Sequence, residues 1–326
     1  MGRGASFGRS RPRCERHRGV LLHDGENRIE PAATRSRGSL VKMACGTKLV
    51  VVLVAMLGPA VLATSVEAQW VEAPGQGWAD LTVYYLDTRE QFDFDTRVRD
   101  FFADGHAVTV SAFLTLAVGI LPGVDGWLQV PYHRLQFEDA GDSFLRSGIG
   151  DSNFYLRIQP LRYLGSDFPV AVRVGVKVPV GDFSVDVDVI PLGDGQTDWE
   201  VMTEIGHSFY PFPAYVNGWV GYRWRGPNNQ ARRDFGDEGF FLAQVGANYG
   251  EFGFQFLVEG MGSVTIPVIE GIPLRNAERS ILQVTPKVNY AIGPGSFSVG
   301  ARISLRGKNL PAGTSLVLGY FSRLSL

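Results

Sequence analysis

Val170-Ala171-Val172-Arg173-Val174-Gly175-Val176-Lys177-Val178-Pro179-Val180 carries a valine at every second position. Ala171, Arg173, Gly175, Lys177 and Pro179 fill the alternate places, so one face is branched and apolar while the other is small or charged. A period of two belongs to a β-strand, whose successive side chains point to opposite faces; a helix would scatter these valines around its circumference. The charged face excludes burial on both sides. The run reads as a strand dividing an apolar medium from a polar one.

The alternation recurs in both directions. Val108, Val110, Ala112, Leu114, Leu116, Val118 and Ile120 oppose Thr109, Ser111, Phe113, Thr115, Ala117 and Gly119. Phe252, Phe254, Phe256 and Val258 alternate with Gly253, Gln255, Leu257 and Glu259, and the stretches 282–290 and 297–306 behave alike. The pattern predicts strands near 78–86, 107–121, 127–137, 149–160, 168–180, 197–209, 214–225, 239–249, 251–262, 280–292, 296–306 and 314–325. Most have the length that crosses a bilayer at a tilt, roughly nine residues or more.

The connections sort by length. Tight turns are expected at Pro122–Gly126, Leu161–Asp167, Tyr210–Pro213, Gly250 and Gly293–Gly295, and longer polar loops at Asp87–His106, Glu138–Gly148, Gly181–Gln196, Gly226–Glu238 and Gly262–Arg279. Short and long ends alternate, as in a barrel with periplasmic turns and outer loops. Tyr249, Phe252, Tyr290 and Phe297 beside the short turns, with Trp199 and Trp224 at the other end, suit the two headgroup levels. The expected fold is all-β, a transmembrane antiparallel up-and-down barrel of about twelve strands spanning residues 69–326.

Composition agrees. A chain of 326 residues with 45% apolar and 12% aromatic residues has enough apolar matter to fold. Outside the N-terminal region no run reaches the roughly eighteen apolar residues of a spanning helix, so a membrane crossing here requires a closed barrel.

Residues 1–42 are Arg-rich and aperiodic, and are expected to be unstructured or to precede a true start at Met43. Residues 43–68 read as a signal peptide: Lys48, an apolar stretch from Leu49 to Leu62, and a small-residue cleavage site at Val66-Glu67-Ala68, which leaves Gln69 first. Cys14 and Cys45 both precede that cut, so residues 69–326 contain no thiol for a disulfide or a cysteinate metal site. Those residues hold 20 Lys and Arg against 28 Asp and Glu, a net charge of about −8 that argues against a nucleic-acid partner.

The polar faces place Asp151, Arg157, Arg173, Lys177, Asp198, Glu200, Glu204, Arg223, Arg225, Glu259, Lys287, Arg302 and Arg306 as candidate lumen-lining residues. Either they border a wet path or they form salt bridges that fill the interior. The stretch from Gln69 to Gly77 is too short for a plug domain, so constriction is expected from the loop Asp87–Gly105. His207 and Ser208 are adjacent and point to opposite faces of a strand, so they cannot act as a nucleophile–base couple, and no pattern near His133 marks a catalytic set. Asp182, Asp186, Asp188 and Asp194 lack the order of a calcium loop. No metal, cofactor or enzymatic activity is expected.

Gly148-Ile149-Gly150-Asp151, then Val176-Lys177-Val178-Pro179-Val180-Gly181-Asp182, Asp198 and Asn217-Gly218-Trp219-Val220-Gly221-Tyr222-Arg223 carry a family likeness over roughly residues 145–260. The chain resembles the outer-membrane barrels assigned as transporters of the MetA pathway of phenol degradation. It departs from them at Val180, where Thr is usual, and in ending on Leu326 rather than an aromatic residue. The resemblance implies a channel or transporter for small molecules, hydrophobic or aromatic ones among them. A structural or adhesive barrel with a closed lumen and, behind it, a barrel lipid hydrolase are the alternatives. The expected location is the outer membrane. Expected partners are membrane lipid and lipopolysaccharide, the barrel-insertion machinery and an unnamed small solute.

Overall fold

The computed structural model describes residues 71–166, 168–181, 183 and 191–325. The expected stretches 1–42 and 43–68 lie outside the described residues. No helix among the described residues is long and apolar enough to cross a membrane.

Twelve long strands run antiparallel to their neighbours: β1 (Gln76–Thr88), β2 (His106–Leu121), β3 (Val124–Glu138), β4 (Ser143–Ile149 and Ser152–Ile158), β5 (Val170–Val178), β6 (Asp198–Ser208), β7 (Ala214–Arg225), β8 (Glu238–Tyr249), β9 (Phe252–Ser263), β10 (Ser280–Ile292), β11 (Gly295–Lys308) and β12 (Thr314–Ser325). The last returns to the first, Gln76 opposite Ser325 and Tyr85 opposite Leu316, and the sheet closes into a barrel. Closure satisfies the edge groups that lipid could not hydrogen-bond.

Both termini of the barrel lie at the end with the short turns. Gly123, Gly250 and Gly293 take positive φ in two-residue turns there, a conformation that costs a residue without Cβ little. The loops 89–105, 226–237 and 264–279, with the described residues 179–181 and 191–197, lie at the other end. One expected long loop does not exist. Ser143–Ile149 pairs with β3 from Glu138 to Tyr132, which leaves only the turn 139–142. Between Tyr132 and Gln129 three steps on β3 face four on β4, from Ile149 to Asn153. This bulge at Gly150-Asp151 switches the alternation partway along β4, so the sequence pattern shows only its second half.

The barrel is apolar outside and polar within. Val174, Leu114, Val220, Phe256, Val299 and Leu318 are exposed on the outer wall, whereas Arg157, Asp125, Asp198 and Glu238 are among the most deeply buried side chains. Facing residues of Tyr249, Phe252, Tyr290, Phe297 and Tyr320 join five strands, β8 to β12, in a continuous row of rings near the short-turn end. Trp199 and Trp224 face each other at the opposite end. Amphipathic rings at both ends of an apolar band are the interfacial girdles of a membrane barrel.

Candidate functional site

Strand register sets acids directly across from bases on the inner wall. Asp125 of β3 faces Arg157 of β4; Lys177 of β5 faces Asp198 of β6; Glu200 and Asp198 of β6 face Arg223 and Arg225 of β7; and Arg223 also faces Glu238 of β8. Facing side chains in an antiparallel pair are near neighbours, so these positions form ion pairs without rearrangement. Arg157 Nη2 donates to Asp125 Oδ2 at 2.6 Å and Nη1 to Glu204 Oε2 at 3.3 Å. Arg173 Nε lies 2.6 Å from Glu204 Oε1, Lys177 Nζ 2.7 Å from Asp198, and Arg223 lies 2.6 Å from Glu200 and 2.8 Å from Glu238. Arg225 and Arg279 reach Glu238 at 3.0 and 3.2 Å. A chain of alternating charge thus runs around β3 to β8.

The loop before β6 joins this network. Asp194 accepts from Lys177 and Arg225, both at 2.6 Å, and donates its backbone N–H to Asp151 at 2.7 Å. Burial alone would raise the Asp194 pKa, but the two cations outweigh it and hold the carboxyl at about 2.

Aromatic rings stand among these charges. The Arg173 guanidinium lies 4.3 Å from the centre of Trp127, 5.2 Å from Tyr155 and 5.4 Å from Trp219, within cation–π range of all three. Gly175 makes room for this. A Cβ there would stand 2.3 Å from the facing Tyr155 ring.

The rest of the wall is sparser. Along β9, β10, β11, β12, β1 and β2 the inner face presents Gln255, Glu259, Lys287, Arg302, Phe321, Arg323, Asp80, Thr82, Tyr84, Phe113 and Thr115. Arg302 Nε is 2.5 Å from Glu259 and stacks on Tyr84 at 4.8 Å, while Lys287 has no ion pair within 4 Å among the described residues. Between this half and the network lies a cavity of about 1120 Å³, bordered by both.

Each end of the lumen is narrowed. At the short-turn end the Glu72 N–H donates to Asp125 Oδ2 at 3.0 Å, Gly75 N–H to Gly119 O at 3.1 Å, and Val71 to Ala73 line the cavity. At the other end Leu192 is buried against Gly148 and Gly150. The loop expected to constrict the barrel, Asp87–Gly105, instead carries exposed Phe94, Val98 and Phe102, the last 91% accessible. Its own short strands, Glu90–Phe92 and Val98–Asp100, pair with each other and hold it in a hairpin.

Of the thirteen predicted lumen residues, twelve project inward: Asp151, Arg157, Arg173, Lys177, Asp198, Glu200, Glu204, Arg223, Arg225, Glu259, Lys287 and Arg302. Arg306 does not. Gln283 faces Ser304 while Leu282 faces Arg306, so Leu305 is an extra residue on β11 and reverses the alternation beyond it. Arg306 therefore shares the outer face with Leu282 and is exposed. Sequence reasoning missed Asp125, Asp194 and Glu238 because each falls at a strand end or in a loop, where no alternation reports direction.

His207 packs edge-on against Phe209 with centroids 4.9 Å apart, and no couple with Ser208 forms. His133 meets a serine that the sequence did not single out: Ser111 Oγ lies 2.8 Å from its Nδ1 across β2 and β3. No carboxylate lies within ion-pair distance of His133 among the described residues, so nothing there completes a charge-relay set. No cluster of metal-ligating side chains occurs among the described residues.

No family model and no curated protein matches the chain. Among solved structures the barrel is similar to an outer-membrane channel of Pseudomonas putida F1, with a TM-score of 0.64 and 13% identity over 80% of this chain and 100% of that one. Looser likenesses include the Ralstonia pickettii toluene transporter TbuX (TM-score 0.40, 10% identity, 78% and 90% covered) and the β-domain of the Bordetella autotransporter BrkA (0.44, 11%, 78% and 100%). The chain has the closed twelve-strand fold of an outer-membrane β-barrel.

Proposed function

We propose that the protein is a channel of the bacterial outer membrane for small molecules, hydrophobic or aromatic ones among them. The observation that carries this reading is the cavity of about 1120 Å³ between the ion-paired wall and the sparser one, edged by Trp127, Tyr155, Trp219, Tyr84, Phe113 and Phe240. Rings beside hydrogen-bonding groups such as Gln129, Gln244 and Gln255 suit a small aromatic solute carrying a polar substituent. No catalytic step is assigned to the lumen. Membrane lipid and lipopolysaccharide surround the apolar band in this reading, and the insertion machinery assembles it.

Purified protein in planar bilayers tests the proposal. Discrete conductance steps, reduced by millimolar amounts of a small phenol or benzoate, are expected. A second reading has its own support: Val71 to Ala73 cross one mouth and the Asp125–Glu238 network fills much of the wall, which suits a closed structural barrel. Persistent electrical silence from protein that is folded by gel mobility selects that reading.

A further inference from the structure

The outer wall is uncharged over most of its height, which isolates the exceptions. The outward positions of the strands carry mostly apolar and aromatic residues, and their charged members gather at the long-loop ends: Asp87, Arg134, Glu138, Arg306 and Lys308. Some of these have protein partners. Asp87 binds His106 at 2.7 Å, Gln136 donates to Glu138, and Lys308 lies 3.3 Å from Glu278.

Arg134 and Arg306 differ. Arg134 stands on β3 between Val110 of β2 and Ser147 of β4, four residues before the strand's outer end, and is exposed. Arg306 stands on β11 opposite Leu282, two residues before its outer end, and is exposed because the bulge at Leu305 turns it outward. Neither has a hydrogen-bond or ion-pair partner among the described residues. A guanidinium on a lipid-facing wall is unfavourable at mid-membrane and approaches neutrality only at the interface. At the interface it prefers an oxyanion that accepts two parallel N–H bonds, and phosphate matches that fork. A bulge that redirects a side chain is a specific feature rather than an irregularity.

We propose that Arg134 and Arg306 each bind a phosphate of lipopolysaccharide in the outer leaflet. The proposal rests on the outer-membrane placement above, which puts the long-loop end at the cell surface. The two arginines are four strands apart, about 19 Å along the wall at about 4.8 Å per strand. They are therefore two separate contacts, which brace opposite flanks of the β12–β1–β2 segment.

The test measures retention of purified lipopolysaccharide by the full barrel in detergent, using native mass spectrometry and a competing series of lipids. Wild type is expected to hold lipopolysaccharide at least ten-fold more tightly than its dephosphorylated form or phosphatidylglycerol. Arg134→Gln/Arg306→Gln should lose that preference while migrating as a folded barrel. Arg134→Lys/Arg306→Lys should keep part of it. Equal binding by wild type and the Gln variant overturns the proposal, as does equal binding of phosphatidylglycerol, which would reduce the contact to a generic anionic one. Failure of wild type to insert into lipid vesicles overturns the barrel reading together with this one, so the two failures are distinguishable.

Discussion

The two halves of the lumen wall are built from the same strand geometry and differ in how their charges are spent. On β3 to β8 the inward cations Arg157, Lys177, Arg223 and Arg225 face acids at directly opposite register positions, Arg173 opposite Met202 reaches Glu204 off-register, and Arg157 and Arg225 are almost fully buried. On β9 to β12 with β1 and β2, charges are fewer: Arg302 meets Glu259 in a half-exposed pair, and Lys287 stands apart. A wall of mutually neutralising pairs presents little net field to a passing solute. A sparse wall leaves both room and uncompensated charge. On the proposed channel reading, the first half holds the barrel's shape and the second sets what enters.

Removing one charge from each half gives the largest contrast. Arg157→Met leaves the fully buried Asp125 without its cation and takes one of two from Glu204, and breaking a buried pair from one side costs about 3–5 kcal/mol. Arg302→Met breaks a partly exposed pair, where about 1 kcal/mol or less is expected. Urea unfolding in lipid vesicles measures both. Equal losses would mean that the two halves do not divide the work in this way.

The inside and outside of a single strand give the next effect. Val174 is 45% accessible on the outer wall, while Ala171 points inward opposite Glu204 on β6. Val174→Lys should cost about 2–4 kcal/mol by placing an ammonium in lipid, and Ala171→Lys should be tolerated beside the acid. If the order reverses, the face assignment fails. Cysteine at Val174 should react with lipid-phase reagents and not with water-soluble ones, which separates a membrane wall from the core of a soluble sandwich.

A substitution in the sparse half should act on selectivity rather than stability. Lys287 borders the cavity without an ion pair, so Lys287→Glu converts the local field from mixed to acidic at little structural cost. Reversal potentials across a salt gradient should move toward cation preference, with unfolding midpoints unchanged. The same reversal at Lys177, which bonds Asp194 and Asp198, should disturb folding first. An unaltered reversal potential in the Lys287 variant would mean that ions do not pass this wall.

Much of this architecture was legible because membrane and water impose opposite demands on alternate residues. The valines of β5, the phenylalanines of β9 and the number of strands follow from that rule. It fails where the alternation is interrupted. Arg306 was misdirected by one extra residue at Leu305, and Ser143–Ile149 was hidden by the bulge at Gly150-Asp151. It is also silent at strand ends: Asp125 reads as part of a Pro-Gly turn and Glu238 as the end of a loop, yet both are central to the network. Polarity along a strand predicts direction, while partnership depends on register between strands. That is why Arg302 could be assigned to the lumen without indicating Glu259, 43 residues away.

Asp194 offers the smallest and most specific effect, because its carboxyl ties a loop to the ion-paired half through two cations. Its carboxyl accepts from Lys177 and Arg225 at 2.6 Å, and its pKa is depressed to about 2 against an ordinary 3.8. A group whose pKa is lowered in the folded state contributes stability that is fully present above its ordinary value and is lost as pH falls through the lowered one. The loop should therefore stay in place from pH 7 down to about pH 4 and loosen between there and pH 2. Accessibility of a single cysteine at Gln196, a buried neighbour in the same loop, reports this. Wild-type background should label slowly until about pH 3, and Asp194→Asn should label at the acid rate already at pH 7. Labelling that rises near pH 4 in wild type would show an ordinary carboxylate with no help from Lys177 and Arg225. Unchanged labelling in the Asn variant would show that the loop is held by Leu192 packing against Gly148 and Gly150, and that charge pairing confines the β3–β8 wall without reaching the loop above it.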